Sequence, residues 1–205
     1  MAHDPHPLKH LLPGWYAVVM GLCGLALAWH RAVPLMGDAA GVAALAIGAL
    51  AGVVFVGLAV ATALRLQRHP EAWADDCRHP VRHTFIAAAP IAVILLATVA
   101  VALGGPGWPA QALWWAGSLS QLLVTLWVLG RWWKHPKAGG LQWASATPAL
   151  FIPIVGNVLV PLAGVPLGHA EWAAAQFGIG LMCWPVAMGL VVTRGAIQGL
   201  WPDRL

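Results

Sequence analysis

Charge is what this sequence has least of. Only 9% of its 205 residues are Asp, Glu, Lys or Arg, against 60% hydrophobic, whereas a soluble domain keeps roughly a quarter of its residues charged. A water-soluble fold is excluded on that ground. Serine is scarce too. Three serines (Ser118, Ser120, Ser145), no carboxylate inside any long apolar stretch and histidines that fall between those stretches leave no nucleophile–base pair and no proton-transfer chain. That argues against an intramembrane enzyme, and no catalytic residue is assigned. Three cysteines make no disulfide framework, because Cys23 and Cys183 sit inside apolar stretches and Cys77 sits between two of them. They read as free thiols. Cys77, His79 and His83 lack the paired spacing of metal ligands, so no metal and no cofactor is expected.

What is present is apolar length. Six stretches reach or approach the ~20 residues that cross a hydrocarbon core: 13–29, 39–64, 84–103, 111–130, 147–165 and 173–193, none of which contains Asp, Glu, Lys or Arg. The expected fold is all-α, a polytopic membrane protein, with residues 1–205 forming one incomplete transmembrane domain embedded in a lipid bilayer. A secretory signal is rejected for the first stretch, which is too long for a signal core and opens with Pro13-Gly14.

The basic residues report orientation. Lys9, Arg65, Arg68, Arg78, Arg82, Arg131, Lys134, Lys137, Arg194 and Arg204 fall on one side and Arg31 alone on the other, so both termini are expected to be cytoplasmic. The net charge of +4 and pI near 9.4 are then a topology signal, and no nucleic-acid partner is expected. Abundant Ala and Gly hint at a G- and C-rich bacterial chromosome, hence an inner (plasma) membrane.

Short outer connections, such as GGPGWPA from Gly104, make neighbouring spans antiparallel, giving three helical hairpins. Span two repeats small residues at Ala44, Gly48 and Gly52, a spacing that lets helices pack closely. In span four, Trp114, Trp115, Trp132 and Trp133 stand near the two ends, where indoles favour the interface. The odd spans carry proline: Pro13 opens span one, Pro90 lies in span three, and Pro148, Pro153 and Pro161 lie in span five, although Pro185 in span six breaks the pattern. Thr147-Pro148 reads as a helix start, with the threonine oxygen as cap. Pro90, Pro153 and Pro161 each lack an N–H, releasing the carbonyls of Ile86, Ala149 and Asn157 and bending the axis. Such carbonyls cannot face lipid, so the bent helices should turn inward. Arg78, Arg82, Lys134 and Lys137 precede two of the odd helices, whose N-termini add positive potential, and the cytoplasmic mouth should therefore concentrate anions.

Four segments carry a family resemblance: PGWYAVVMGLCGLALAW in span one, HPVRHTFIAAAPIAV entering span three, TPALFIPIVGNVLVPLAG in span five and FGIGLMCWPVAMGL in span six. Together they resemble the tellurite-resistance/dicarboxylate transporter family, which takes in TehA-like proteins, fungal malate and sulfite exporters and the slow-type anion channels of plants. The resemblance implies ten helices in five hairpins around a pseudo-fivefold axis, odd helices lining a pore, transport of small anions (chloride or nitrate, dicarboxylate, tellurite), and a homotrimer for the complete protein. It also implies that this chain corresponds to the first six of ten helices. The pore-lining candidates are then Tyr16, Phe85, Pro90, Phe151, Pro153, Asn157 and Pro161. Each has a plainer alternative: the three aromatics as anchors or core packing, Asn157 as an interhelical hydrogen-bond donor and not an anion contact. A non-transporting membrane scaffold is the competing function.

Overall fold

The computed structural model describes residues 7–135, 138, 140 and 143–198. Lys137 and Arg204, named above among the basic residues, lie outside them.

Among the described residues the chain is helical, with no strand. Helix α1 runs Tyr16–Met36, entered through the 3-10 turn Pro13–Trp15, and α2 runs Asp38–Arg68. The short α3 (Pro70–Arg78) and the 3-10 turn Arg82–Ala87 lead into α4 (Ala88–Gly104), and α5 spans Trp108–Trp132. After the 3-10 turn Pro148–Phe151 come α6 (Ile152–Leu159), α7 (Pro161–Gly164) and the long α8 (Ala170–Gln198). Five of these segments are long and apolar enough to cross a membrane: 13–36, 38–68, 82–104, 108–132 and 170–197.

The hairpins turn where the backbone demands glycine. Gly37 (φ 71°) closes α1 with its N–H on the Val33 carbonyl, and Gly105 (φ 78°) closes α4 on Val101 in the same way; a side chain at such a φ is strained, so these tight reversals exclude other residues. Gly168 (φ 85°) lies in the third turn, before α8.

Burial orders the helices. More than half of the α4 span is buried (56%), against 11% of the α2 span, so α4 is the central post and α2 an outer face. Two apolar clusters meet on α4. One joins Tyr16, Val19 and Cys23 of α1 to Ala51 of α2 and Ile91 and Leu95 of α4; the other joins Ile94 and Ala97 of α4 to Trp114, Val160, Ala163 and Ala173. Gly48 earns its place in the small-residue row, since a Cβ there would stand 2.9 Å from Val99 Cγ1, whereas Gly52 meets nothing within 4 Å.

The fifth span, expected over 147–165 as a helix bent at its prolines, is broken into separate pieces. It is a 3-10 turn and two helical pieces, Pro148–Phe151, Ile152–Leu159 and Pro161–Gly164, because a proline ring cannot continue the i→i−4 ladder at Pro153 or Pro161. The released carbonyls are taken up by tightened i→i+3 bonds: Ile152 N–H to Ala149 O, and Val160 N–H to Asn157 O at 3.4 Å. The expected Thr147 side-chain cap is corrected. Thr147 receives the Leu150 N–H on its main-chain carbonyl at 3.0 Å, while its hydroxyl makes no capping bond.

The histidines also depart from the sequence reading that set them all between the spans. His30 lies within α1, and His83 within the 3-10 turn that opens α4.

Candidate functional site

The broken fifth span is clamped to α5 by a buried polar network. Gln121 and Thr125 stand one helical turn apart on α5, so both side chains reach the same face of α6. Gln121 Nε2 donates to the Pro153 carbonyl at 2.8 Å, the Thr125 hydroxyl donates to the same carbonyl at 2.7 Å, and Asn157 Nδ2 donates to Thr125 Oγ1 at 2.8 Å and to Pro153 O at 3.0 Å. Gln121, Thr125 and Asn157 are all fully buried. Gly156 makes the approach possible, since a Cβ there would meet the Gln121 amide carbon at 2.4 Å. The amide oxygens of Gln121 and Asn157 accept no hydrogen bond from a described residue. Asn157 Nδ2 is thus an interhelical donor.

The other end of the fifth span is held by Trp114, whose indole N–H donates to the Val160 carbonyl at 2.9 Å. Its ring stacks on His169 (5.1 Å, 9°), which is bonded to Gln111 Nε2 at 2.7 Å. Trp114 was expected near an interface; it is fully buried instead, and its indole N–H is a second donor to the Val160 carbonyl, which also accepts the Gly164 N–H at 3.1 Å. Trp133 by contrast is 82% exposed.

The pore-lining candidates fall at separate interfaces. Pro90 and Pro153 are buried and Pro161 is half-buried. Tyr16 is buried, donates to Thr62 Oγ1 at 3.1 Å and tilts against Phe55. Phe85 is half-buried beside Gly14, where a Cβ would come within 3.2 Å of its ring, and Phe151 lies 5.8 Å from Trp184 of α8. Of these, the structure brings Tyr16 and Pro90 together on the wall of one cavity, and Pro153 and Asn157 in the α5–α6 network.

The basic end of the bundle holds a cluster that the sequence did not disclose. Asp76 on α3 is fully buried and receives Arg65 Nη2 at 2.7 Å and Arg82 Nη1 at 2.9 Å. Arg65 is itself buried at the last turn of α2 and also donates to the Ala72 carbonyl at 3.4 Å. Two guanidinium groups around one carboxylate leave a net positive charge there, carried by the partly exposed Arg82. Arg131 donates to the Cys77 and Arg78 carbonyls and lies 5.5 Å above the Trp127 ring. Arg194 of α8 is buried and donates to Ala146 O at 3.2 Å. Arg78 and Lys134 are exposed. His79 Nδ1 accepts the N–H groups of Val81 and Arg82, both at 3.1 Å. Burial and the Arg82 charge push its pKa below the ordinary histidine value, and burial with Asp76 pushes the Cys77 thiol up. Among the described residues no three His, Cys, Asp or Glu side chains converge as a metal site.

These features were missed for different reasons. Gln121 and Thr125, an i,i+4 polar pair in an apolar span, were a legible signal. Asp76 gave none, being one of two adjacent aspartates in a polar stretch.

Comparison with known proteins then gives the family. The family described as SLAC1, voltage-dependent anion channel, matches residues 10–205. A tellurite resistance protein TehA homolog of Haemophilus influenzae is 25% identical over 203 residues, which are 97% of this chain and 58% of that protein; the chain thus spans little more than half the length of the relative. Five membrane-crossing helices, a proline-broken segment packed among them and a match over nearly the whole length lead to one assignment: this chain belongs to the SLAC1 family of voltage-dependent anion channels and TehA-like proteins.

Proposed function

We propose that this chain supplies helical wall to an anion channel or exporter in the bacterial inner membrane, with both termini cytoplasmic and the proline-interrupted segments α1, α4 and α6–α7 turned toward the conduction path. The observation that carries the reading is the inward placement of acid-free, interrupted backbone. The α4 span is the most buried of the five long ones, Pro90 and Pro153 are buried, and no Asp or Glu occurs between Asp76 and Glu171. Cations find no carboxylate there, whereas the partly exposed Arg82, in excess over the buried Arg65–Asp76 pair at the basic end, raises the local concentration of anions.

The conducted species are small anions: chloride or nitrate, a dicarboxylate, or tellurite, the last on the strength of the relative's name. Assembly as a homotrimer goes with the complete protein. The test is electrical. Protein reconstituted in liposomes under a chloride or nitrate gradient should give a reversal potential at the anion's Nernst value. A reversal potential that follows the cation gradient would overturn the proposal.

A further inference from the structure

Among the described residues two arginines are buried, Arg65 and Arg194. Arg65 has its counter-charge in Asp76 at 2.7 Å. Arg194, near the end of α8, makes no ion pair with a described residue: its Nη1 donates to the Ala146 carbonyl at 3.2 Å, while the enclosed Nε and the Nη2 group bond to no described residue. No Asp or Glu occurs from 77 to 170 or from 172 to 202, so neither α8 around it nor the fifth span against it offers a carboxylate. The residue after Ala146 adds a second unspent donor. Thr147 is buried, its carbonyl takes the Leu150 N–H, and its hydroxyl has no partner among the described residues.

We infer that Arg194 and Thr147 hold one small planar oxyanion, of the carboxylate or nitrate kind, where the end of α8 meets the start of the fifth span. A guanidinium stays charged when buried, and a buried charge without a counter-ion is strongly unfavourable. One carbonyl dipole does not neutralise it. The unspent edge of Arg194, Nε–H with the Nη2 group, is the fork that meets two oxygens of one planar anion in parallel bonds. Thr147 stands one residue from the carbonyl that fixes the guanidinium, and its hydroxyl rotates freely to donate a further bond.

Position agrees. Arg194 lies four residues from the end of α8 and Thr147 just ahead of the 3-10 turn that opens the fifth span. Pro148 and Thr193, next in sequence to the pair, are exposed, so the two donors lie just under the surface, within reach of a small anion from water. Chloride, a single sphere, cannot place two acceptor atoms against the fork as a carboxylate does. Holding an anion here does not require that it cross the membrane, so binding and not flux is the property to measure.

The experiment is thermal melting of the purified chain in mild detergent, followed by tryptophan fluorescence, with sodium formate replacing sodium chloride at constant ionic strength and pH. The melting temperature should rise with formate and give a dissociation constant. Arg194→Lys keeps the charge but loses the fork, and should weaken formate about ten-fold. Thr147→Val keeps the shape and every charge and should weaken it about three-fold, so the result does not depend on how a change at Arg194 affects folding. Arg68→Gln, which removes an exposed charge at the end of α2, should leave the constant unchanged, as should Asp203→Asn. A melting temperature indifferent to formate, an equal response in Arg194→Lys, or an unaffected Thr147→Val would each overturn the inference. So would a loss of binding in Arg68→Gln, or a response to formate that arises only in Asp203→Asn, since the chain would then supply its own carboxylate to Arg194.

Discussion

The α5–α6 network makes a quantitative prediction about Thr125. Valine at this position keeps the shape and removes the hydroxyl. Across the interface it removes the acceptance from Asn157 Nδ2 at 2.8 Å and the share of the one hydroxyl proton that Pro153 O receives at 2.7 Å, in competition with Gln121 O of the same helix at 2.8 Å. Pro153 O is not orphaned, because Gln121 and Asn157 still donate to it at 2.8 and 3.0 Å. The loss is therefore one bond and a share of another, and not a buried unsatisfied carbonyl. Interhelical hydrogen bonds in membrane proteins average about 0.6 kcal/mol with a ceiling near ~1.7, so Thr125→Val should cost about 1–2 kcal/mol, roughly five- to thirty-fold in the unfolding equilibrium. The assay is reversible unfolding in mixed micelles on titration with a denaturing detergent, followed by tryptophan fluorescence. Thr98→Val is the control, since that hydroxyl bonds to the Ile94 carbonyl of its own helix and should cost under about 0.5 kcal/mol. Thr125→Ser should lie nearer to the wild type than Thr125→Val. If Thr125→Val and Thr98→Val shift the midpoint equally, the network does not hold the fifth span and the account of its bend is wrong.

Three further outcomes are expected. Asp76→Asn leaves two guanidinium groups without their buried counter-charge, and should cost about 3–5 kcal/mol, read as a lower melting temperature of the detergent-solubilised protein. Gly156→Ala pushes a methyl to 2.4 Å from a Gln121 amide fixed by its own bonds and should destabilise by about 1–3 kcal/mol, whereas Gly57→Ala, which meets nothing within 4 Å, should be neutral or slightly stabilising in the same melt. His79 is held neutral by burial and by Arg82, so its folded pKa lies below its unfolded one. Its contribution is then complete above the unfolded value, near ~6.5, and is lost as pH falls through the folded pKa; stability measured from pH 7.5 down to 5 should fall, and His79→Gln should flatten that part of the profile.

How far the sequence could be read depended on the range of the forces involved. Transfer of apolar side chains into a hydrocarbon layer is additive along the chain, so the long uncharged stretches were legible residue by residue, as was the interruption of the fifth span by Pro153 and Pro161. The helical form of 70–78 was not anticipated, since its polar residues look like a loop until Ala72 and Asp76 are seen to be buried beneath it. Thr147 looked like a capping residue, yet the cap came from its carbonyl. Trp114 looked like an interfacial anchor, yet its ring packs in the core with Val160, Ala163 and Ala173 and its N–H reaches the Val160 carbonyl.

The sequence by itself determined the membrane as solvent, the number of apolar segments and the places where a helix could not continue, because these follow from side-chain transfer energies and from the covalent geometry of proline. Tertiary structure alone decided which donors meet the freed and exposed carbonyls, and that Asp76 and not its neighbour Asp75 would gather Arg65 and Arg82 around it. Those pairings join residues distant along the chain, and only the packing of α2, α3 and α5 against α4 and α6 sets their distances.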